Sequence, residues 1–407
     1  MTHRQLKTGY LVIQWLNSIS TAFYAYYLFF LLARQFGFGN FGNLCVSATF
    51  GFVYTFSSLH GGKYGQRHGY FNALLTGFFG MIISMIGGYF ANSPAGQIGW
   101  MILWTFSVCF TWPSLEALVS EGESPLGVQR MVGIYNLTWS SAGALAYFSG
   151  GALVEWLGMR SIFWLPAMVH FVQICLLFWL RERAANVASS KSSFIPDDNA
   201  GVRIELTPRP IARSKMFLRM AWTANPFAYV AINTLAAVIP GLAGEFHLTP
   251  MFAGFVCSIW FFARWFTFLA LWLWPGWHYR ARWFFAAFVL LISSFASILL
   301  VPSLAVIVIA QVGFGIAVGL IYYASLFYSM DVGEAKGEQG GIHEAAIGFG
   351  IFLGPAVGAG ALKIFPSYPH SSTFAVCILL CAGLTLLAGT YLRGNRRTVA
   401  IDSIPGS

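Results

Sequence analysis

The sequence predicts an all-α membrane protein of twelve transmembrane helices in two pseudo-symmetric six-helix bundles. Hydrophobic residues fill 57% of the 407 positions and charged ones only 9%, against about 25% charged in ordinary soluble domains. The apolar residues gather into twelve stretches, each near the ~20 residues that carry a helix across a ~30 Å hydrocarbon core. A helix is the element that closes its backbone hydrogen bonds within itself there. One extended polar segment divides the twelve into six and six.

The first stretch, 9–33, ends at Arg34, is too long for the apolar part of a cleaved signal and has no small-residue cleavage site behind it. The second, 41–60, gives way to Gly61-Gly62-Lys63. The third, 70–92, is parted from the fourth, 96–119, by the turn residues Ala91-Asn92-Ser93-Pro94-Ala95. Arg130 precedes the fifth, 131–154, and the sixth, 161–180, lies between Arg160 and Arg181. The polar segment 184–214 holds Ser189, Ser190, Asp197, Asp198, Pro208 and Pro210 and reads as a flexible linker between an N-terminal bundle, 1–183, and a C-terminal bundle, 215–407. In the second bundle the stretches are 216–243, 250–275, 283–301, 303–330, 342–365 and 371–392, with Val301-Pro302-Ser303 dividing the ninth from the tenth. A short basic tail follows Arg393.

A net charge of +9 would suggest nucleic acid in a soluble protein. Its placement says otherwise. With the N-terminus in the cytoplasm, inner ends and loops carry 19 Lys and Arg, outer loops carry three (Arg34, Arg160, Lys363), and Arg264 lies inside a span. Such an excess places both termini in the cytoplasm and removes nucleic acid from the expected partners. The short loops fit a bacterial inner membrane. All six cysteines fall within spans, and Cys377 and Cys381, four apart, have no His or carboxylate beside them, so neither a disulfide framework nor a metal site is expected. The chain has no phosphate loop, zinc ligand set or nucleophile elbow. An ATP-driven pump, an enzyme and a resident cofactor are therefore not expected.

The halves look like degenerate copies about 210 residues apart. Gly62-Lys63-Tyr64-Gly65-Gln66-Arg67-His68-Gly69-Tyr70-Phe71 follows the second stretch, and Gly276-Trp277-His278-Tyr279-Arg280-Ala281-Arg282-Trp283 follows the eighth. The fifth and eleventh both carry glycine-rich ends, at Ser149-Gly150-Gly151-Ala152 and Gly358-Ala359-Gly360-Ala361. Over essentially its whole length the chain resembles the major facilitator superfamily. That family's signature between helices 2 and 3 is Gly, three residues, Asp, Arg, one residue, Gly, then basic residues. Gly62, Arg67 and Gly69 match it, Gln66 replaces the Asp, and Tyr70 and Phe71 replace the basic residues. Gly158-Met159-Arg160 before helix 6 resembles a second family habit, Gly-Trp-Arg and an aromatic. Gly354-Pro355 with Gly358 in helix 11 resembles the Gly-Pro-x-x-Gly pattern that many members carry in helix 5. No subfamily signature is intact.

The resemblance implies a monomeric secondary transporter whose bundles rock about a central cavity lined by helices 1, 4, 7 and 10. Arg264 is the sharpest candidate for binding substrate, because a guanidinium midway through a span costs at least ~2.5–3.5 kcal/mol to insert and offers a bidentate fork to an anion. Its alternative role is a structural cation–π contact. In relatives helices 5 and 8 meet, which would bring Arg264 near Asn136, Trp139 and Ser140. Asn17, Asn225, Asn233 and Gln311 are polar groups on cavity helices, or ordinary interhelical hydrogen bonds worth ~0.6 kcal/mol. Tyr24, Tyr27, Trp112, Tyr322 and Tyr323 could stack on a ring-bearing ligand or simply pack. Glu344, beside His343, and Glu116 are candidate proton-coupling groups, although a glutamate in a first helical turn is favourable with no other role. Family geometry would also let Arg67 pair with Glu116 or Glu121 as a gate. His170 reads as a core histidine, and Gly354, Pro355 and Gly358 as helix-packing residues. The expected function is proton-coupled secondary transport of a small organic solute across the bilayer, leaning to export. Uptake or uniport of a sugar or organic anion is the alternative, and a non-transporting receptor or assembly factor on the same fold is a second.

Overall fold

The computed structural model describes residues 2–123, 125–191, 211–332 and 336–402. In the first half the helices are α1 (His3–Phe36), α2 (Asn40–His68), α3 (Tyr70–Phe90), α4 (Pro94–Val108), α5 (Trp112–Ser120), α6 (Pro125–Leu157) and α7 (Ser161–Lys191). In the second they are α8 (Ile211–Glu245), α9 (Pro250–Cys257), α10 (Ile259–Leu273), α11 (Ala281–Leu300), α12 (Leu304–Val332), α13 (Lys336–Ile364) and α14 (Ser371–Asp402). Because α4 with α5 and α9 with α10 each make one crossing, the chain has twelve transmembrane crossings in two six-helix bundles. An even number of crossings puts both chain ends on one face, called here the terminal face.

Local sequence explains the ends. Thr2 and Gln5 form a reciprocal capping box at the start of α1, and Gly37, with φ 69°, closes it in the left-handed conformation that glycine adopts without penalty. Ser93 caps α4 by accepting from the Gly96 N–H, with Pro94 in the first turn where its missing N–H costs nothing.

Three expectations need correction. The fourth apolar stretch is broken at residues 109–111, because Pro113 has no N–H to return to the carbonyl of Cys109. The eighth is kinked at Ser258, whose hydroxyl bonds back to the Phe255 carbonyl. The residues from Gly62 to His68 are the last two turns of α2 and not a loop; Gly69 alone, with φ 88°, makes the turn. Helix persists past the apolar run because its hydrogen bonds need no apolar side chains. The segment with which it was paired as a repeat is built differently, with a 3-10 turn at Pro275–Trp277 and Tyr279 at φ 54°. Helix also enters both ends of the expected 184–214 linker, and its centre, 192–210, lies outside the described residues.

Among the described residues ten spans are long and apolar enough to cross a membrane on composition alone. The crossings missing from that set are α2 and α6. Both run along the seam between the bundles, α2 against α13 and α8, and α6 against α9 and α10. Small residues let backbones meet there. A Cβ on Gly51 would overlap the backbone of Ile351 and Phe352, and one on Gly151 would overlap Pro250. On the face opposite the termini two contacts cross the seam. Glu155 accepts from the Met251 N–H at 2.8 Å, and Gly241 of α8 sits on Asn40 of α2.

Candidate functional site: a central cavity

Between the bundles lies a cavity with an empty volume of about 1320 Å³, counting its mouth. Both halves line it. From the first come Thr21, Tyr24 and Tyr26 of α1, Tyr54 of α2, Trp104 of α4, Trp112 and Glu116 of α5, and Tyr135 and Trp139 of α6. The second contributes Tyr229 and Asn233 of α8, Phe261 and Arg264 of α10, Tyr322 of α12 and Glu344 of α13. The walls are thus aromatic, with one cation and two carboxylates.

Arg264 is 4% exposed. Its guanidinium carbon lies 4.6 Å from the centre of the Trp139 ring and 5.0 Å from those of Trp260 and Phe261. These rings supply the electron-rich faces that a cation favours. No carboxylate pairs with it: among the described residues the one ion pair joins Lys7 to Glu123, within the first half. The Arg264 Nε has no hydrogen-bond partner. Asn136 is buried behind the cavity wall, where its Oδ1 accepts from the Trp139 indole at 2.9 Å and its carbonyl from the Ser140 hydroxyl at 2.5 Å. It therefore orients the ring on which Arg264 lies.

Glu344 accepts a 2.5 Å hydrogen bond from the Tyr54 hydroxyl, across the seam from α2 to α13. Glu116 faces the same cavity, within reach of the Glu344 field. Neither it nor Glu121 pairs with Arg67, which is exposed on the last turn of α2 beside Gln66, so the expected gate is not formed here. Its place as a cross-chain tether is taken by Lys7 and Glu123, which the sequence did not single out. His343 points instead at Ser325 of α12, 3.5 Å away, and its Nε2 is unpartnered.

The softer polar candidates scatter. Asn233 lines the cavity and bonds back to the Tyr229 carbonyl at 3.1 Å. Asn17 turns away to donate to Thr111 at the break between α4 and α5. Asn225 and Gln311 are buried outside the cavity wall without side-chain hydrogen-bond partners. Tyr24 lines the cavity, packed edge-on at 4.7 Å from Trp104, as does Trp112. Of the other aromatic candidates Tyr322 faces the cavity, whereas Tyr323 packs on Phe268 and Trp277, and Tyr27 donates to the Tyr147 carbonyl while its neighbour Tyr26 faces the cavity. One residue is ~100° of helix rotation, and the local sequence has no mark of the phase. Gly354 lets α13 against the Val230 carbonyl of α8, Gly358 faces Leu44 of α2, and Pro355 lies inside α13. His170 is a core residue bonded to Gln173, whose amide reaches the Ile13 carbonyl.

Solved structures of transporters superpose on this architecture. A bacterial homolog of the human lysosomal transporter Spinster, in an inward-facing and unoccupied conformation, aligns with 96% of this chain and 98% of its own at a TM-score of 0.66 and 14% identity. The nucleoside transporter NupG aligns with 96% and 98% at 0.66 and 13% identity, and the human organic anion transporter MFSD10 with 95% and 100% at 0.63 and 15% identity. At these identities the likeness is one of fold. A folate-biopterin transporter of Synechocystis sp. (strain ATCC 27184 / PCC 6803 / Kazusa) is 24% identical over 176 residues, 40% of this chain, and the match spans about a third (34%) of that relative's length. The model of the Major Facilitator Superfamily matches residues 10–232. With more than half of the chain inside that match and the twelve-crossing fold around a central cavity, the protein is a multi-pass membrane protein that belongs to the Major Facilitator Superfamily.

Proposed function

We propose that the protein is a proton-coupled secondary transporter of a small organic anion that carries an aromatic or other flat ring, with export as its direction and both termini in the cytoplasm. The observation that carries this reading is Arg264, a buried guanidinium at the cavity wall with rings behind it and no carboxylate partner. A cation so placed is costly unless something offsets it, and a bound anion supplies a bidentate charge-assisted pair. The aromatic walls offer stacking area to a ring. Two relatives are compatible with such a ligand, since one is called an organic anion transporter and another a folate-biopterin transporter.

Glu344 and Glu116 are the proton-coupling groups in this reading. Glu344 bonds across the seam to Tyr54, so gain or loss of its proton alters a contact between the bundles. Alternating access then opens the terminal face and the opposite face in turn, with protons moving against the anion. Proteoliposomes test it directly. Under an imposed pH gradient the wild type should move radiolabelled aromatic carboxylates, Arg264→Ala should lose at least tenfold of that flux, and Glu344→Gln should keep anion exchange while losing its response to the gradient. Flux that survives Arg264→Ala overturns the anion reading. Sugar flux that survives neutralising both glutamates would make the protein a uniporter of neutral solutes, and no flux with any solute would favour a receptor or assembly factor.

A further inference from the structure

Arg264 and the two glutamates share one cavity without pairing. Opposite charges in a partly buried site attract, yet among the described residues Arg264 makes no ion pair. Two tyrosines, Tyr229 of α8 and Tyr322 of α12, line the same cavity as all three. Their rings are 6.3 Å apart, and Tyr322 packs against Trp139, the ring beneath the guanidinium. The two ends are also unequally occupied. Three rings lie within 5.0 Å of the guanidinium carbon, while Tyr54 takes one Glu344 oxygen and, among the described residues, neither the other oxygen nor Glu116 has a hydrogen-bond or ion-pair partner. When ionised, two carboxylates in the cavity that holds Arg264 repel a ligand that is only anionic.

We infer that the transported ligand is dipolar: an anionic group held by Arg264, a nitrogen-bound proton donor, amine or ammonium, held by Glu344 and Glu116, and a flat framework between them along Tyr229 and Tyr322. This rests on the anion reading above and adds the second pole to it. Each pole satisfies charges that the protein leaves unpaired, so a ligand with both gains more than either half alone.

The purified full chain, titrated by its tryptophan fluorescence, distinguishes the cases. The dipolar probes are 4-(aminomethyl)benzoate and its longer biphenyl homologue, and the single-pole probes are 4-methylbenzoate and 4-methylbenzylamine. At least one dipolar probe should bind tenfold or more tighter than both single-pole probes. Glu344→Gln with Glu116→Gln should erase that advantage while 4-methylbenzoate binds at least as tightly as it does to the wild type, which also shows that the variant is folded. The inference is overturned if neither dipolar probe exceeds 4-methylbenzoate tenfold, or if the advantage survives the double substitution. In either of those cases, loss of 4-methylbenzoate binding in Arg264→Gln would leave the anion reading standing. Carboxylate binding indifferent to Arg264 would remove both.

Discussion

Arg264 sits on three rings and lacks a counter-ion. The desolvated cation–π contact is worth about 2 kcal/mol, while inserting the charge at a helix centre costs at least ~2.5–3.5 kcal/mol. These nearly cancel, so folding alone gives little reason to keep the residue. Arg264→Leu should therefore melt within a few degrees of the wild type, or above it, while losing anion binding; a large fall in melting temperature would mean that the guanidinium is structural. The ion pair at the terminal face behaves differently. The Lys7 ammonium donates to Glu123 and, with His3 and Arg130 nearby, holds its carboxyl below the usual glutamate range. A depressed acid contributes stability that is present above its unfolded value, about 4.3, and is lost as pH falls through the lower folded value. The melting temperature of the wild type should exceed that of Glu123→Gln at pH 7, and the gap should close as the pH is taken below about 4; a gap that persists there would mean the pair contributes through packing.

At the scale of the helix, the seam between α2 and α13 depends on the missing side chain at Gly51, where a Cβ would overlap the backbone of Ile351 and Phe352. Backbone cannot rotate aside as a side chain can, so Gly51→Val should cost at least the ~1–3 kcal/mol of an overpacked core. It should lower the melting temperature and disturb the Tyr54–Glu344 bond one turn away. Gly358→Ala, which would meet the Leu44 side chain at 3.4 Å, an ordinary contact, is the tolerated control. Equal melting of both variants would show that the helices separate at no cost. The paired helices also explain which parts of the elements were readable. The break before Pro113 follows from a residue that cannot donate. The extension of α2 to His68 was hidden, because a helix that faces protein and water carries no apolar run to mark it.

For the whole molecule, alternating access requires the contacts across the opposite face to part. A Cβ at Gly241 would lie 3.1 Å from the Asn40 Cγ, so a cysteine at each position falls near the Cβ separation of about 3.8 Å that a disulfide needs. In a background with the six native cysteines replaced, Asn40→Cys with Gly241→Cys should stop flux when oxidised and recover it on reduction. Undiminished flux in the oxidised protein would mean that α2 and α8 stay together through the cycle.

The crossings, the six-plus-six division and the three charged groups of the cavity were legible in the chain, because each is a local departure from its surroundings. A polar segment among apolar ones and a guanidinium or carboxylate inside a span stand out whatever the rest of the protein does. Tyr54, Tyr26, Tyr229 and Tyr322 were not legible as a set. Aromatics fill 17% of the chain, and a single step along a helix separates a cavity residue from a core one, as Tyr322 and Tyr323 show. Which of them meet depends on the rotation of each helix against its neighbours, and that is set by packing between residues far apart in sequence. Tyr54 and Glu344, 290 positions apart, become partners only where Gly51 lets two backbones touch.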